Sequence, residues 1–512
     1  MFLRNINKAE KQMGNIYSSF SNSLSSISKH CIQNSIIFAV FVCTFILSCK
    51  NSEEETVFDF LKSRMQNKGS SEKKVVSNSG VEIPFSPYNF ETLYQANDSL
   101  EKLIENNLVF NRYYNDSEFV PDSFLLKHVR RMIEIKRKSP VLKKAGTNVF
   151  YEFVLPHRGG DEIFEDYYST VERIFGKALK NFSSSLTTLE KVNILNAELS
   201  EILEFDLRSH AMLKEPSICE VLSEGKGSCN SLTAVAVQTM RFFGIPAVID
   251  ECPVWAHRNS GHRWNAFLDD DGKWNPFSGA ETNPHEFNVI NDSVKAPKVF
   301  RHTFSVQKDF QPPVENAEDI PAVFRYPNRI DVTEQYVSTT DVEVSPNSEK
   351  IGGEKIIYLA VFNDEEWRIV SWAKLENRKA VFKNMGNNNI VYLPVNYKNG
   401  KTIPVTFPFI LSGDSVINIL PDTIHKTNME LKYHNVFFDL KWNIGITSQG
   451  RKTELYYWDN DWVLCGECKV GDDHLIRFPA VPQNSLFWIK SKEWDNTWQR
   501  IFTVENGDQV WY

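Results

Sequence analysis

The sequence predicts a multidomain α+β protein, in which a helical N-terminal region leads into an α+β core and two all-β sandwich domains follow. The chain has 512 residues, and at roughly 100–200 residues per domain it is too long for one compact core. Apolar residues recur with a helical period before about residue 245 and with a period of two beyond it. This change of period indicates helices first and strands afterwards.

Composition and charge exclude several classes of protein. Hydrophobic residues make up 42% and charged residues 24% of the chain, as in ordinary folded domains and unlike disordered or collagen-like chains. The net charge of -8 provides no basic surface, so we expect no nucleic-acid partner. The aromatic content of 13% suits the cores of β-sandwiches.

Amphipathic helices are predicted between residues 92 and 215. Thr187 and Glu190 have the spacing of a capping box at the start of one of them. Its predicted apolar face consists of Leu189, Val192, Leu195, Leu199, Ile202 and Leu203. We therefore assign residues 92–310 to the helical region and the α+β core, and the polar residues 49–91 to a linker.

Turn dipeptides between aromatic or β-branched runs predict hairpins in the second half of the chain. They are Asp271-Gly272, Asn399-Gly400 and Asn506-Gly507. Prolines at 312, 313 and 321 indicate a boundary at the end of the α+β core. The remainder is long enough for two sandwiches of about 100 residues, which we assign to residues 311–415 and 416–512.

The N-terminus predicts export. A basic segment precedes the apolar run 36–47, whose length of about 12 residues fits a signal peptide better than a membrane span. Ile46-Leu47-Ser48-Cys49 resembles a bacterial lipoprotein box. The resemblance implies that residues 1–48 are removed and that a lipid on Cys49 anchors the protein in the bacterial cell envelope, at the outer membrane or the periplasmic face. An uncleaved anchor helix is the alternative.

The cysteines beyond Cys49 are too few for a disulfide framework. They are Cys219, Cys229, Cys252, Cys465 and Cys468. Because their number is odd, at least one thiol stays free. A free thiol in an oxidising compartment favours a nucleophile. Cys465 and Cys468 form a lone CxxC, which we interpret as a local disulfide or two reduced thiols.

Cys229 has the surroundings of a reactive thiol. It follows Gly225 and Gly227 and begins an apolar helical pattern that Gly244 and Pro246 terminate. The free N–H groups and the dipole at a helix N-terminus stabilise a thiolate. A small buried cysteine that only packs at a helix start is an equal alternative.

A histidine follows at the start of a predicted strand. His262 lies in Gly-His-Arg-Trp-Asn, and the Asp271-Gly272 hairpin comes after it. A histidine on a strand beside the cysteine helix can act first as base and then as acid. Trp255 and Trp264 lie on either side of His262 in the sequence, and we expect them to line the cleft between Cys229 and His262.

These motifs together resemble those of the transglutaminase-like superfamily of papain-type thiol enzymes. They are Gly-Ser-Cys at 227–229, Gly-Ile-Pro-Ala-Val at 244–248, Gly-His-x-Trp-Asn at 261–265 and Asp-Gly-Lys-Trp at 271–274. The resemblance spans about residues 185–285. It implies Cys229 as nucleophile, His262 as its partner and no cofactor.

One position departs from the family pattern. The family places an aspartate four residues after the hairpin tryptophan to orient the histidine, and this chain has Ser278 there. Glu281 or Asn275 could take that role, while an ordinary loop carboxylate is an equal alternative for Glu281. Loss of the orienting carboxylate from a serine triad lowers turnover by about 10⁴.

Three functions therefore remain in view. The first is an envelope-anchored thiol enzyme that cleaves or transfers an amide bond of a peptide or glycopeptide. The second is a catalytically inactive scaffold that binds a glycan or peptide. The third, a zinc site, would use Cys229, Cys252, His257 and His262, but their spacing is loose, so we predict no metal. The oligomeric state stays open.

Overall fold

The structure is a computed structural model that describes residues 53–512 except 67, 78, 183–184, 292, 348–352, 433–449, 451, 474 and 492–498. The chain divides into two compact units, Met1–Ser63 and Arg64–Tyr512. The predicted signal peptide, 1–48, and Cys49 lie outside the described residues. Among the helices of the described residues, none has the length and hydrophobicity needed to cross a membrane.

Helices dominate the first half of the described chain. They are α1 (53–65), α2 (Leu93–Glu105), α3 (Asp116–Phe119), α4 (Asp122–Lys138), α5 (Pro140–Ala145), α6 (Thr147–Phe153), α7 (Tyr168–Asn181), α8 (Thr188–Ile202), α9 (Ile218–Glu224) and α10 (Cys229–Phe242). The polar segment 49–91, whose assignment as a linker stays a prediction, includes α1 and a strand that pairs with residues 108–115.

Short strands accompany these helices, and five of them form the central sheet. The short strands are β1 (Gly69–Val76), β2 (Leu108–Asn115), β3 (Glu204–Phe205), β4 (Lys226–Gly227), β5 (Ala247–Cys252), β6 (His262–Leu268), β7 (Trp274–Phe277), β8 (Phe300–His302) and β9 (Arg329–Asp331). The central sheet has the order β7-β6-β5-β8-β9 and is antiparallel. Every residue of β5 is buried, so this strand runs through the core.

Strands make up the rest of the described chain. They are β10 (Thr339–Val344), β11 (Ile356–Asn363), β12 (Glu366–Glu376), β13 (Lys379–Gly386), β14 (Ile390–Lys398), β15 (Lys401–Pro404), β16 (Phe409–Ser412), β17 (Ser415–Asn418), β18 (Asp422–Leu431), β19 (Lys452–Trp458), β20 (Trp462–Lys469), β21 (Ile476–Gln483), β22 (Phe487–Ser491), β23 (Ile501–Glu505) and β24 (Asp508–Trp511).

The predicted fold class is confirmed: helices and an α+β core precede a C-terminal β-rich region. Strands β10 to β17 form one eight-stranded sheet, and a five-stranded sheet has the order β20-β19-β22-β23-β24. The domain boundaries stay predictions. The boundary predicted after residue 415 falls within β17, which pairs with β16 of the same sheet. Most of the tryptophans of this region lie in its apolar clusters.

The predicted hairpins all form. Asp271-Gly272 joins β6 to β7, Asn399-Gly400 joins β14 to β15 and Asn506-Gly507 joins β23 to β24. Asn399, Asn506 and all three glycines have positive φ, which glycine adopts without strain and asparagine tolerates better than most residues.

The predicted capping box is also present, since Thr187 and Glu190 bond each other's backbone N–H at the start of α8. The predicted apolar face is wrong at Leu189 and Ile202, which are 41% and 37% exposed. They lie near the two ends of the helix.

Helix α10 lies at the centre of the α+β core. All its residues except Asn230 are buried, because β5 and β6 pack on it together with α7, α8 and α9. The helix ends where Gly244 adopts φ +78°. A Cβ atom on Gly244 would meet Cγ2 of Ile135 at 2.5 Å, so glycine is required there for both backbone conformation and space.

We expect Gly244→Ala to lower the free energy of unfolding by at least 1 kcal/mol more than Gly272→Ala does. Both glycines have positive φ, but nothing lies within 4 Å of a Cβ atom on Gly272. The difference between the two variants therefore isolates the clash with Ile135. Urea denaturation followed by tryptophan fluorescence measures it, and equal losses in the two variants would refute the argument.

Candidate active site

Cys229 is the first residue of α10 and is 8% exposed. The hydroxyl of Ser228 caps the helix by accepting from the N–H of Ser231. The chain approaches through Gly227, where a Cβ atom would lie 2.9 Å from Cβ of Ser231. The glycine before the cysteine is thus needed to bring the thiol to the helix N-terminus.

Strand β6 meets this thiol at its first residues. The backbone N–H of Arg263 lies close enough to the sulfur of Cys229 to lower the pKa of the thiol. His262, the preceding residue, begins β6 and pairs with Cys252 across β5. The structure therefore brings the strand start that carries His262 to the cysteine, as the spacing predicts. Among the described contacts, no hydrogen bond joins the sulfur to the imidazole, and such bonds often form only when substrate binds.

The surroundings keep the thiol protonated. Burial raises the pKa of Cys229, and the carboxylates of Glu215 and Glu281 raise it further, while the N–H and the charge of Arg263 lower it. Burial also lowers the pKa of His262 to about 4, and the positive charge of Arg258 and the nearby His210 contribute to this shift. At neutral pH the site therefore holds a neutral thiol and a neutral imidazole. The neutral imidazole is the form of histidine that can accept a proton.

Ser278 directly follows β7 and is 2% exposed. Its backbone N–H donates to the carbonyl of Thr282, but its hydroxyl has no hydrogen-bond partner among the described residues. A serine at this position carries no charge to stabilise an imidazolium. The fold therefore has no carboxylate at Ser278, where the family pattern has an aspartate.

Glu281 lies in the turn that follows. Gly279 and Ala280 donate their N–H groups to the side-chain oxygens of Asn265 and Asn196, and Ala280 adopts φ +64°. This turn places the charge of Glu281 where it raises the pKa of Cys229. The described groups that shift the pKa of His262 are Arg258 and His210. Glu281 thus acts on the thiol, and its orienting role stays a prediction.

Asn275 does not lie free for the orienting role. Its Nδ2 donates to the carboxylate of Asp269 at 2.7 Å and to the carbonyl of Lys273 at 3.1 Å. These bonds tie it to the β6–β7 hairpin.

Residues 177–278 match the family model of the transglutaminase-like superfamily. The chain contains a transglutaminase-like core. The match includes Cys229 and His262 and ends at Ser278, which confirms the recognition made from the motifs.

Two solved structures show distant similarity. A candidate cysteine protease from Cytophaga hutchinsonii is 17% identical with a TM-score of 0.19, over 24% of this chain and 42% of that chain. The chain thus matches less than half of that protein's length. Red sea bream transglutaminase is 9% identical with a TM-score of 0.16, over 84% of this chain and 76% of that chain. No curated protein matches the chain.

Sequence reasoning missed two groups in the transglutaminase-like core. Glu215 accepts hydrogen bonds from Nδ2 of Asn230 at 3.0 Å and from the hydroxyl of Ser231 at 3.4 Å, which fixes its carboxylate beside the first turn of α10. His210, on the short 3₁₀ helix Leu207–Ala211, is one of the groups that lower the pKa of His262. Neither has a motif around it, so no signal in the sequence marks them.

The side chain of Arg263 holds the start of β6 in place through ion pairs. Its guanidinium lies 2.9 Å from Glu251 on β5 and 3.6 Å from Asp161. Glu251 also pairs with His302 on β8 at 3.2 Å and with Arg329 on β9 at 2.8 Å. Because these charges are mostly buried and mutually paired, they fix the strands that carry the site.

Trp255 and Trp264 are both fully buried. Their rings stack 6.3 Å apart, and the ring of His262 lies 6.3 Å from that of Trp264. They belong to an apolar cluster with Cys252, Val299 and other core residues. The structure therefore shows them as the apolar support behind His262, and their role as walls of an open cleft stays a prediction.

The other cysteine and histidine side chains of the zinc alternative have separate partners. Sγ of Cys252 contacts the carbonyl of Val254 at 3.3 Å, and Nδ1 of His257 accepts from the N–H of Lys295 at 3.2 Å. No group of three metal-ligating side chains occurs within the described ranges. Cys465 and Cys468 are both free thiols on β20.

We expect Glu215→Gln to lower the pKa of Cys229. Removing a negative charge favours the thiolate, so the thiol will alkylate several-fold faster at pH 8 than in the unmodified protein. The measurement is the rate of iodoacetamide labelling of Cys229 against pH, followed by mass spectrometry. Glu286→Gln is the control, because Glu286 is not among the charges that act on Cys229. Equal rates in both variants would contradict the assigned role of Glu215.

Proposed function

We propose that the protein is a thiol enzyme that cleaves or transfers an amide bond of a peptide or glycopeptide through an acyl-enzyme on Cys229, with His262 as acid and base. The observation that carries this proposal is the approach of the N–H of Arg263 to the thiol at the start of α10, close enough to lower the pKa of the thiol. It supports a site in which a buried sulfur and a neutral histidine come from neighbouring elements of a transglutaminase-like core.

The proposed reaction begins with both groups neutral. As the sulfur of Cys229 attacks the amide carbonyl carbon, its proton passes to His262. The backbone N–H of Cys229, at the positive end of α10, stabilises the oxyanion. His262 then gives the proton to the leaving amine as the C–N bond breaks. Water or a second amine attacks the thioester, and the proton that it loses returns by way of His262 to the sulfur.

The test is the dependence of Cys229 labelling on His262. We expect His262→Ala to slow iodoacetamide labelling of Cys229 at pH 7 by at least tenfold, while Cys252, which is fully buried, stays slow in both proteins. Because the pKa of His262 is lowered to about 4, the imidazole stays a competent base down to about that pH, and the His262-dependent rate is lost below it. An equal rate of Cys229 labelling in the native protein and in His262→Ala would overturn the proposal.

A second function is favoured by Ser278. Without a carboxylate in that position, the core serves as a catalytically inactive scaffold that binds a glycan or peptide. Ser278→Asp discriminates between the two functions in the same labelling experiment, with Ser278→Ala as the control. If the native core is inactive, the aspartate creates a dependence on His262 that the native protein lacks. If the native protein already shows it, the inactive scaffold is excluded.

We further propose that the protein is a lipid-anchored protein of the bacterial cell envelope, on the strength of Ile46-Leu47-Ser48-Cys49. Mass spectrometry of protein purified from a bacterial membrane fraction will find a mature chain that begins at an acylated Cys49. In Cys49→Ala the chain will keep its first residues and lose the lipid. Unmodified native protein that retains residues before Cys49 would contradict the proposal.

A further inference from the structure

The loop that leads to His262 is held by two side chains from the C-terminal β-rich region. This loop, residues 253–261, joins β5 to β6 and will be called the β5–β6 loop. Its last residue, Gly261, lies so close to the end of β5 that a Cβ atom would stand 2.6 Å from the carbonyl oxygen of Cys252. A shift of this loop therefore moves His262 directly, because no residue separates them.

Asn363, the last residue of β11, bonds the loop at both its ends. It is 2% exposed, and its Nδ2 lies 2.8 Å from the carbonyl oxygen of Trp255, 2.9 Å from that of Arg258 and 3.0 Å from that of Ser260. Its Oδ1 accepts from the N–H of Ser260 at 3.0 Å. One side chain thus satisfies several backbone groups of the loop.

The bonds to Ser260 compensate for an unfavourable backbone. Ser260 has φ +66°, a conformation that is strained for a residue with a Cβ atom. Asn363 bonds both the N–H and the carbonyl of this residue. Asn363 therefore holds the loop in a strained conformation two residues before His262.

Arg500, which directly precedes β23, holds the middle of the loop. It is 1% exposed, and its guanidinium donates to the carbonyl of Ala256, to Oδ1 of Asn259 and to the carbonyl of Phe362. Phe362 neighbours Asn363 on β11, so Arg500 links the loop to the strand that holds it. The guanidinium also donates through Nε to the main-chain oxygen of Tyr512 at 2.9 Å, and a planar fork of donors suits several such acceptors better than an ammonium group.

We propose that Asn363 and Arg500 are positioning residues for His262, and that the C-terminal β-rich region thereby completes the thiol site. The inference rests on the proposed role of His262 as acid and base. Neither residue touches the sulfur or the imidazole in the described contacts. They act through the β5–β6 loop, which fixes where the imidazole stands relative to Cys229.

The experiment measures the titration of His262 by NMR in the full chain with labelled histidines, the resonance being assigned from His262→Ala. In Asn363→Ala we expect the loop to relax and the imidazole to gain solvent, so its pKa rises from about 4 by one unit or more. Labelling of Cys229 at pH 7 falls at least tenfold with it. Asn396→Ala is the control, because Asn396 is a buried amide of the same sheet that bonds Tyr397.

A rescue variant separates positioning from general damage. In Ser260→Gly/Asn363→Ala the strained residue becomes a glycine, which adopts positive φ without strain. The loop should then keep its conformation without Asn363, and at least half of the lost labelling rate should return. A general loss of folding in Asn363→Ala would not be repaired in this way.

Two further variants keep the test informative if Asn363→Ala fails to fold. Asn363→Asp keeps the size of the side chain and removes the Nδ2 donor, and Arg500→Lys keeps the positive charge and removes the fork. The inference is overturned if the folded variants leave both the His262 titration and the Cys229 labelling unchanged. If native labelling is independent of His262, the proposed function fails instead, and the titration of His262 still decides the role of Asn363.

Discussion

The approach of the N–H of Arg263 to the thiol of Cys229 is the contact on which the site depends. It joins the N-terminus of α10 to the start of β6. The guanidinium of the same residue is paired with Glu251, and Glu251 in turn pairs with His302 and Arg329. Buried ion pairs at short distance tolerate little movement, because separating one leaves an uncompensated buried charge. The position of the Arg263 N–H at the thiol is therefore set by the ion pairs of the central sheet.

The imidazole has a different support, which comes from residues far along the chain. Its ring lies beside Trp264 in the apolar cluster, and its backbone position follows from the loop that Asn363 and Arg500 bond. The thiol is thus fixed within the α+β core, while the histidine is fixed partly from the β-rich region. Such an arrangement makes the relative position of the two groups sensitive to packing between segments that are distant in sequence.

Local patterns predicted what local physics determines. The capping box at Thr187, the helix that begins at Cys229 and the hairpin at Asp271-Gly272 all depend on neighbours in the chain. The sequence could not show Glu215 or Asn363, because their roles arise from contacts with residues distant from them in sequence or outside any motif. It also led us to expect a thiolate at Cys229, since the helix dipole is local, whereas burial and two carboxylates come from the tertiary fold.

Ser278 and the shifted pKa values describe one electrostatic state. A carboxylate behind His262 would favour the imidazolium and, through it, a thiolate on Cys229. This chain has a buried hydroxyl there, and the groups that lower the pKa of His262 are the cationic Arg258 and the neighbouring His210. Each of these features disfavours a resting ion pair. A site of this kind can work only if the proton leaves the sulfur as the sulfur attacks, so its chemistry depends on the distance between the two groups more than on their charges. That dependence gives a physical reason for the tight hold on the β5–β6 loop.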